Sequence, residues 1–346
     1  MKIVSGFHHV RGNHCGSTAM RDLLHCAGLD LGEAMCFGLG SGLGFHYFRN
    51  LPDTGISYFF HGRTGTLERD LCRHLAVDFA EGLDDDPDRA WRGARAWVEA
   101  DVPVLFNVEL SRLPYYNSRT PFPGHRVVLA GYDDARGIAL LADNAFEPLQ
   151  EVLFAALRDA RYAPVASALF PLRNDWLVVK GARNHTPRAD AIHVALRENA
   201  RGMLSERDPH AGILGMKTLA DDLVDWGDAA DWQFCARFGY QIVERRGTGG
   251  GAFRKMYADY MREAEEIVPT LRAAKLADAM AELAEGWTAF ARQLKRVADE
   301  KNRAGFDDAG DAVRRLATRE ESFWRKVSEG EAGRGFRGPG NGRIGR

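Results

Sequence analysis

The sequence predicts a two-domain α+β protein, because β-like runs gather in its first half and helical periodicity fills its second half. The β-like runs cover residues 102–110, 126–132 and 138–143. From about residue 186 onward, apolar residues recur at helical spacing. A chain of 346 residues is long enough for two average domains. We therefore predict an α+β domain over 1–165 and a mostly helical domain over 170–330.

Shorter signals predict the remaining elements. These are a helix over 16–27, a strand near 56–60, helices over about 67–81 and 87–100, and an edge strand over 177–180. The glycine and arginine residues of 331–346 predict a disordered tail.

The composition excludes several classes of protein. Apolar residues make up 45% of the chain, charged residues 27%, and the net charge is −2, so no global field attracts nucleic acid or a membrane surface. No apolar run approaches the roughly 18 residues of a membrane span, and the N-terminus lacks the apolar core of a signal peptide. We therefore expect a cytoplasmic protein that binds neither nucleic acid nor membrane.

The cysteines predict free thiols. The chain has five of them, an odd number without a C-x-x-C pair, which argues against a disulfide framework and against a zinc site. His8, His9, His14 and Cys15 cluster near the N-terminus, but their spacing does not give the fourth ligand position of a typical metal site. We therefore predict no metal.

Cys15 is the most informative of these cysteines. It follows a polar loop broken by Gly12 and precedes the helix predicted over 16–27. Amides at a helix N-terminus stabilise a thiolate, which is the nucleophilic form of cysteine. Cys15 is therefore the candidate nucleophile.

Hairpin geometry indicates which residues lie near each other in the predicted sheet. If the turn between 126–132 and 138–143 centres near Ala135, residues whose numbers sum to 270 face each other. Asp143 then opposes Val127, and His125 lies diagonally from Asp143 on the same face, within reach of an imidazole and a carboxylate. A slip of one residue would instead place Asn144 opposite His125.

These positions suggest catalytic roles. His125 would take the proton of Cys15 as acid and base, and Asp143, with Asn144 in reserve, would orient the imidazole. A tetrahedral oxyanion needs preorganised donors, for which the backbone N–H of Cys15 and the side chain of Asn13 or His9 are the candidates. Taken singly, each residue could equally have a structural role.

A run of glycines forms a second candidate site. Gly247, Gly249 and Gly250 open a strongly amphipathic helix near Phe253, with Arg254 in its first turn. Helix N-termini bind phosphate, so Gly249, Gly250 and Arg254 are substrate-binding candidates. The alternative is a close-packed turn between domains.

Several motifs together resemble the butirosin biosynthesis protein H-like acyltransferases. The segments that carry the resemblance are 11–17, 37–45, 113–115, 124–133, 215–219 and 246–254, and they extend over nearly the whole chain. The resemblance implies a papain-like N-terminal domain followed by a helical C-terminal domain of unclear role.

The resemblance also implies a reaction. Members of this family take an acyl group from the phosphopantetheine thioester of an acyl carrier protein and transfer it to an amine acceptor in secondary metabolism. The phosphopantetheine arm belongs to the transient carrier partner, so no bound cofactor is expected, and Gly249, Gly250 and Arg254 become candidates for contacting its phosphate. We thus predict a cysteine-dependent acyltransferase that acts through acyl-Cys15.

Two alternatives remain open. The first is a cysteine peptidase or amidase with the same residues. Peptidases of bacteriocin exporters have a similar order of residues, but a Gln before their Cys supplies the oxyanion donor, and no Gln precedes Cys15. The second is a protein without catalytic activity that binds a peptide or a carrier in its cleft.

Overall fold

A computed structural model describes residues 1–50, 55–163 and 171–332 of the chain. The strands are β1 (Lys2–Ile3), β2 (Leu43–Arg49), β3 (Tyr58–Arg63), β4 (Asp78–Gly82), β5 (Val104–Glu109), β6 (Pro123–Asp133), β7 (Ile138–Ala142), β8 (Gln150–Leu153), β9 (Tyr162–Ala163), β10 (Leu172–Arg173) and β11 (Trp176–Gly181). The helices are α1 (Cys15–Cys26), α2 (Glu33–Leu39), α3 (Leu67–Leu75), α4 (Pro87–Glu99), α5 (Phe154–Arg161), α6 (Arg188–Met203), α7 (Gly212–Asp222), α8 (Trp232–Glu244), α9 (Arg254–Ile267), α10 (Pro269–Ala273), α11 (Leu276–Glu300) and α12 (Gly305–Ala332). The mixed α and β content agrees with the predicted α+β class.

The largest sheet of the described residues is antiparallel and has the strand order β4-β11-β5-β6-β7-β8, with β1 added beside β6. The predicted β6–β7 hairpin is confirmed. Val128 faces Ala142 and Leu129 faces Leu141, so the numbers sum to 270 at the end of the hairpin nearest His125. Beyond Leu129 the register shifts by one residue.

Two predicted elements differ from the structure. The helix predicted over 67–81 ends at Leu75 because Ala76 adopts a left-handed conformation with φ of 51°, after which β4 pairs with β11. The strand predicted at an edge over 177–180 is internal, because β11 lies between β4 and β5. β11 also extends the sheet beyond residue 165. Residues 331 and 332 end α12, and the rest of the predicted tail lies outside the described residues.

The sheet has two buried faces, because alternate residues of β6 enter different cores. Val127 and Leu129 belong to the core that contains residues of α4 and α5, whereas Val128 belongs to the core that contains α1 and the helices after residue 186. The core that contains Val128 joins α1, which begins at Cys15, to the helical half of the chain. No helix of the described ranges is long and apolar enough to cross a lipid bilayer.

A close approach of α2 to α9 depends on Gly38. A Cβ atom at this position would lie 2.0 Å from Cγ of Tyr260, which is buried. We expect Gly38→Ala to lower the free energy of unfolding by about 1–3 kcal/mol, because neither the helix nor the ring can move freely. Urea unfolding followed by circular dichroism measures the change.

Gly93 on α4 supplies the control, because a Cβ there would meet nothing within 4 Å. Gly93→Ala should raise the free energy of unfolding by up to about 1 kcal/mol through helix propensity. Equal urea midpoints for Gly38→Ala and the wild type would contradict the packing argument.

Candidate active site

Cys15 is the first residue of α1, as the sequence predicts. His14 caps this helix: its backbone is extended, and its Nδ1 accepts a hydrogen bond from the Ser17 N–H at 3.2 Å. The free N–H groups of the first turn therefore point toward the Cys15 end of the helix. Taken as a whole residue, Cys15 is half-buried.

The structure brings Cys15, His125 and Asp143 together. The Asp143 Oδ2 atom lies 2.8 Å from His125 Nε2, and the His125 side chain is hydrogen-bonded to that of Cys15. Because Nε2 faces Asp143, Nδ1 is the ring nitrogen left for the thiol. His125 and Asp143 are both buried, so water screens these contacts weakly.

The electrostatics of the cluster favour an ionised thiol. Burial alone would raise the pKa of Cys15, but the hydrogen bond to His125 and the positive charges of His125, Arg63 and Arg126 bring it below its usual value. Burial alone would lower the pKa of His125, but its bonds to Asp143 and Cys15 raise that pKa well above the usual value. Both directions favour the thiolate–imidazolium form of the pair.

Asp143 is held as a carboxylate by several donors. Tyr115 donates its hydroxyl to Oδ2 and Tyr116 donates to Oδ1, each at 2.8 Å, and the Ala145 N–H approaches Oδ1 at 3.3 Å. Burial opposes ionisation, but the bonds from His125 and the two tyrosines keep the pKa of Asp143 below its usual value. Sequence reasoning assigned no role to Tyr115 and did not find Tyr116. Their only signal was the Leu-Pro-Tyr motif.

Asn144 does not take the place of Asp143. Its Nδ2 atom donates to the carbonyl oxygens of Gly12 and Asn13, both at 3.3 Å. The side chain therefore fastens the loop before Cys15 to the end of β7, and the predicted register with Asp143 near His125 holds.

Glu33 fixes the same loop from the other side. Its carboxylate accepts from the backbone N–H of Asn13 at 3.0 Å and from that of His14 at 2.7 Å. The hydroxyls of Ser17 and Thr18 also donate to it, each at 3.2 Å. Sequence reasoning missed Glu33, which stands 18 residues beyond Cys15 without a local motif.

The two side chains predicted as oxyanion donors have different environments. His9 is unsuited, because its Nδ1 contacts Asp22 Oδ2 at 2.5 Å and its Nε2 faces the carbonyl oxygens of Phe146 and Asp143, at 2.8 and 3.2 Å. Asn13 is exposed, and its Nδ2 makes a long 3.5 Å contact with Glu33. Asn13 and the backbone N–H of Cys15 thus remain the candidate donors.

Arg254 is not available to a carrier phosphate. Its side chain is fully buried and forms an ion pair with Glu320 at 2.9 Å, and its guanidinium also donates to the carbonyl oxygens of Gly44 and Ala252. Residues 250–254 are buried as well, so the start of α9 is closed to ligands. The prediction of a phosphate site at Gly250 and Arg254 is therefore wrong.

The glycine run nevertheless lies beside the nucleophile loop. A Cβ on Gly247 would stand 3.2 Å from the carbonyl oxygen of Asn13, and one on Gly249 would stand 3.8 Å from Asn13 Cβ. Gly249 is exposed. The run is thus a close-packed turn that carries the helical half of the chain to the edge of the site.

A charged cluster adjoins Cys15 on the side of α3. Arg126 Nε donates to Glu68 Oε1 at 3.1 Å, and Arg63 Nη1 lies 3.7 Å from the same oxygen. A Cβ on Gly16 would stand 2.5 Å from that oxygen, so only glycine allows Glu68 to lie against the first turn of α1. Sequence reasoning missed this cluster, because its members come from three separate elements.

Fold and site together define an α+β protein that holds a helix-terminal cysteine against a buried histidine and aspartate. Residues 14–144 match the family model described as butirosin biosynthesis protein H, N-terminal. Residues 155–327, half of the chain, match the model described as domain of unknown function (DUF4872). The chain therefore belongs to the butirosin biosynthesis protein H-like family with this C-terminal domain. None of the curated proteins matches it.

Proposed function

We propose that the protein is a cysteine-dependent acyltransferase with a papain-like N-terminal domain. It takes an acyl group from the phosphopantetheine thioester of an acyl carrier protein and transfers it to an amine through acyl-Cys15. The observation that carries the proposal is the contact of Cys15 with the buried His125–Asp143 pair at the start of α1. Membership of the butirosin biosynthesis protein H-like family supports a reaction of antibiotic biosynthesis.

The first half-reaction loads the enzyme. The Cys15 thiolate attacks the thioester carbonyl carbon and forms a new carbon–sulfur bond. When the tetrahedral intermediate collapses, the bond to the pantetheine sulfur breaks, and that sulfur leaves with the proton of the His125 imidazolium. One thioester replaces another, so the step is nearly neutral in free energy and requires no ATP.

The second half-reaction forms the amide. The amine nitrogen attacks the acyl carbon, neutral His125 takes the amine proton, and the bond to Cys15 sulfur breaks to restore thiolate and imidazolium. Aminolysis of a thioester is downhill and drives the sequence. Asp143, bonded to Tyr115 and Tyr116, keeps Nε2 of His125 protonated throughout, so that Nδ1 exchanges the protons.

Donors at the helix start would stabilise the oxyanion in both half-reactions. The backbone N–H of Cys15 belongs to the first turn of α1, and the exposed amide of Asn13 lies on the adjoining loop. Glu33 and Asn144 hold the backbone of this loop from two sides, which preorganises both donors.

Intact mass spectrometry tests the nucleophile. Incubation of the full chain with a carrier protein that bears an acyl-phosphopantetheine thioester should add the mass of the acyl group, and Cys15→Ser should abolish the addition. Cys26→Ser is the matched control: this half-buried thiol ends the same helix, and burial followed by the charge of Asp101 raises its pKa. It should therefore leave the adduct in place.

The acceptor is tested on the loaded enzyme. Addition of a polyamine such as an aminoglycoside should discharge the adduct as amide, whereas a hydrolase would release free acid. Absence of an adduct with every acyl thioester tried would overturn the transferase and leave the binding protein as the better interpretation.

A further inference from the structure

The cluster of Arg63, Glu68 and Arg126 beside Cys15 has more positive than negative charge. Two guanidinium groups share one carboxylate, and only Arg126 lies within hydrogen-bond distance of it. Arg63 Nη1 is buried and has no hydrogen-bond partner among the described residues. A buried guanidinium nitrogen without an acceptor is costly, which points to a missing anionic or oxygen ligand.

His14 supplies a second unused donor in the same place. Its Nδ1 accepts from the Ser17 N–H, so the proton of the neutral ring lies on Nε2. This nitrogen has no partner within the part of the chain that the structure describes, although the residue is only 4% exposed. Burial, followed by the positive charge of Arg63, holds the pKa of His14 well below its usual value, so the ring stays neutral.

Gly16 lies between His14 and the carboxylate that Arg63 approaches, and the charge of Arg63 acts on both His14 and Cys15. A Cβ on Gly16 would stand 2.9 Å from His14 Cε1 and 2.5 Å from Glu68 Oε1, so both side chains lie against the residue that follows the nucleophile. Glu68 and Arg126 also line a groove of about 420 Å³ beside α3 and the strands β4, β5 and β11. The groove therefore reaches two members of the charged cluster, Glu68 and Arg126.

Loading of Cys15 leaves the excess of positive charge in place. The thiolate is lost as a thioester and the His125 imidazolium gives up its proton, so one charge of each sign disappears. Arg63 and Arg126 keep their charges and still outnumber the Glu68 carboxylate. A carboxylate on the acyl chain would restore the balance, because it pairs with guanidinium through strong charge-assisted hydrogen bonds.

We propose that Arg63 and His14 bind a carboxylate carried by the acyl group, so that the protein selects acyl donors with an acidic chain. This inference rests on the proposed acyl transfer and adds the chemical class of the donor. Arg63 acts as a specificity-determining residue, and the neutral imidazole of His14 donates the second hydrogen bond.

Matched thioesters test the selection. The full chain is incubated, without any amine, with S-glutaryl-pantetheine or S-pentanoyl-pantetheine, whose five-carbon acyl groups differ in the terminal carboxylate. Intact mass gives the rate of loading of Cys15. The glutaryl group should load about tenfold faster or more, the effect of a hydrogen bond between charged groups. Because no acceptor is present, the preference reports on the acyl group alone.

Arg63→Gln should bring the ratio of the two rates toward one, because any loss of thiolate reactivity slows both thioesters alike. Arg73→Gln, which removes an exposed arginine of α3, should keep the wild-type ratio. A wild-type ratio of glutaryl to pentanoyl loading of one or less would overturn the inference, and this outcome requires no variant to fold. A ratio that Arg63→Gln leaves at the wild-type value would overturn it as well.

Alkylation separates the inference from the proposed reaction. Iodoacetate and iodoacetamide differ by one charge, and the wild type should favour iodoacetate at Cys15 more strongly than Arg63→Gln does. If neither thioester loads Cys15 while this difference persists, the acyl transfer fails and the anion pocket stands. If loading occurs without any preference for acidic reagents, the pocket fails and the transferase stands.

Discussion

Replacing His125 with Gln should slow the loading of Cys15 by on the order of 10³-fold, because the change removes both the partner of the thiolate and the proton donor to the leaving sulfur. Burial raises the pKa of the Cys15 thiol, and the hydrogen bond to His125 is the largest effect that lowers it. Loss of His125 should therefore raise the pKa of Cys15. Iodoacetamide, which is neutral and needs no acyl site, measures the thiolate directly as a function of pH.

The sign of the pH dependence follows from the two pKa directions. The thiolate–imidazolium pair exists above the lowered pKa of Cys15 and below the raised pKa of His125. In the wild type, alkylation should fall only as the pH drops through the lowered pKa, below the usual thiol value of about 8.5. In His125→Gln, the rate should instead climb about tenfold per pH unit through pH 8.5 and beyond.

His61→Gln is the matched control. Burial, followed by the charge of Arg63, lowers the pKa of His61 to about 3, so this ring is neutral at every pH used and its loss removes no positive charge. The alkylation profile of this variant should follow the wild type. A His125→Gln profile that also follows the wild type would eliminate His125 as the partner of the thiolate.

Much of the cluster around Cys15 could be predicted because its members carry local signals. A helix start marks Cys15, and period-two arithmetic across one short hairpin relates His125 to Asp143. The register shift beyond Leu129 lies between the turn and the site, yet it did not disturb the prediction, because the pairs next to the site keep the expected sum. The catalytic roles of these residues stay predictions.

The rest of the site depends on packing between distant segments. Tyr115 and Tyr116 reach Asp143 from a short turn, and Glu33 reaches the Cys15 loop from α2. No period or spacing in the sequence relates these residues, since their contacts depend on how whole elements approach one another. The same holds for β11, whose place inside the sheet depends on pairing with β4 and β5.

Arg254 illustrates the converse error. A glycine run before an amphipathic helix is a local signal, and it indicates a helix N-terminus open to ligands. This helix start is instead covered by α11 and α12, which come later in the chain and give no local signal. Arg254 then pairs with Glu320, which also accepts a 2.5 Å hydrogen bond from Trp287 Nε1. The guanidinium lies 4.9 Å from the centre of the Trp287 ring. A residue expected to bind a ligand instead joins three helices of the core.

The second large effect follows from this buried pair. Arg254→Met or Glu320→Gln should each lower the free energy of unfolding by about 3–5 kcal/mol, because each leaves a fully buried charge without its partner. The double variant Arg254→Met/Glu320→Gln removes both charges, so its loss should be smaller than the sum of the single losses. Urea unfolding of the three variants measures the coupling.

An exposed pair on the same helix supplies the control. Arg262 and Asp259 are paired at 2.6 Å, with side chains 53% and 61% exposed, and Arg262→Ala should change the free energy of unfolding by no more than about 0.5 kcal/mol. If the single variants at Arg254 and Glu320 lost as little free energy of unfolding as Arg262→Ala, the pair would be neutralised or hydrated in solution. The same conclusion would follow if the two single losses simply added in the double variant. Strong coupling would instead confirm the buried ion pair. Arg254 also donates to the carbonyl oxygen of Gly44 in β2, so Arg254→Met additionally removes a contact between the helical half and the half that contains Cys15.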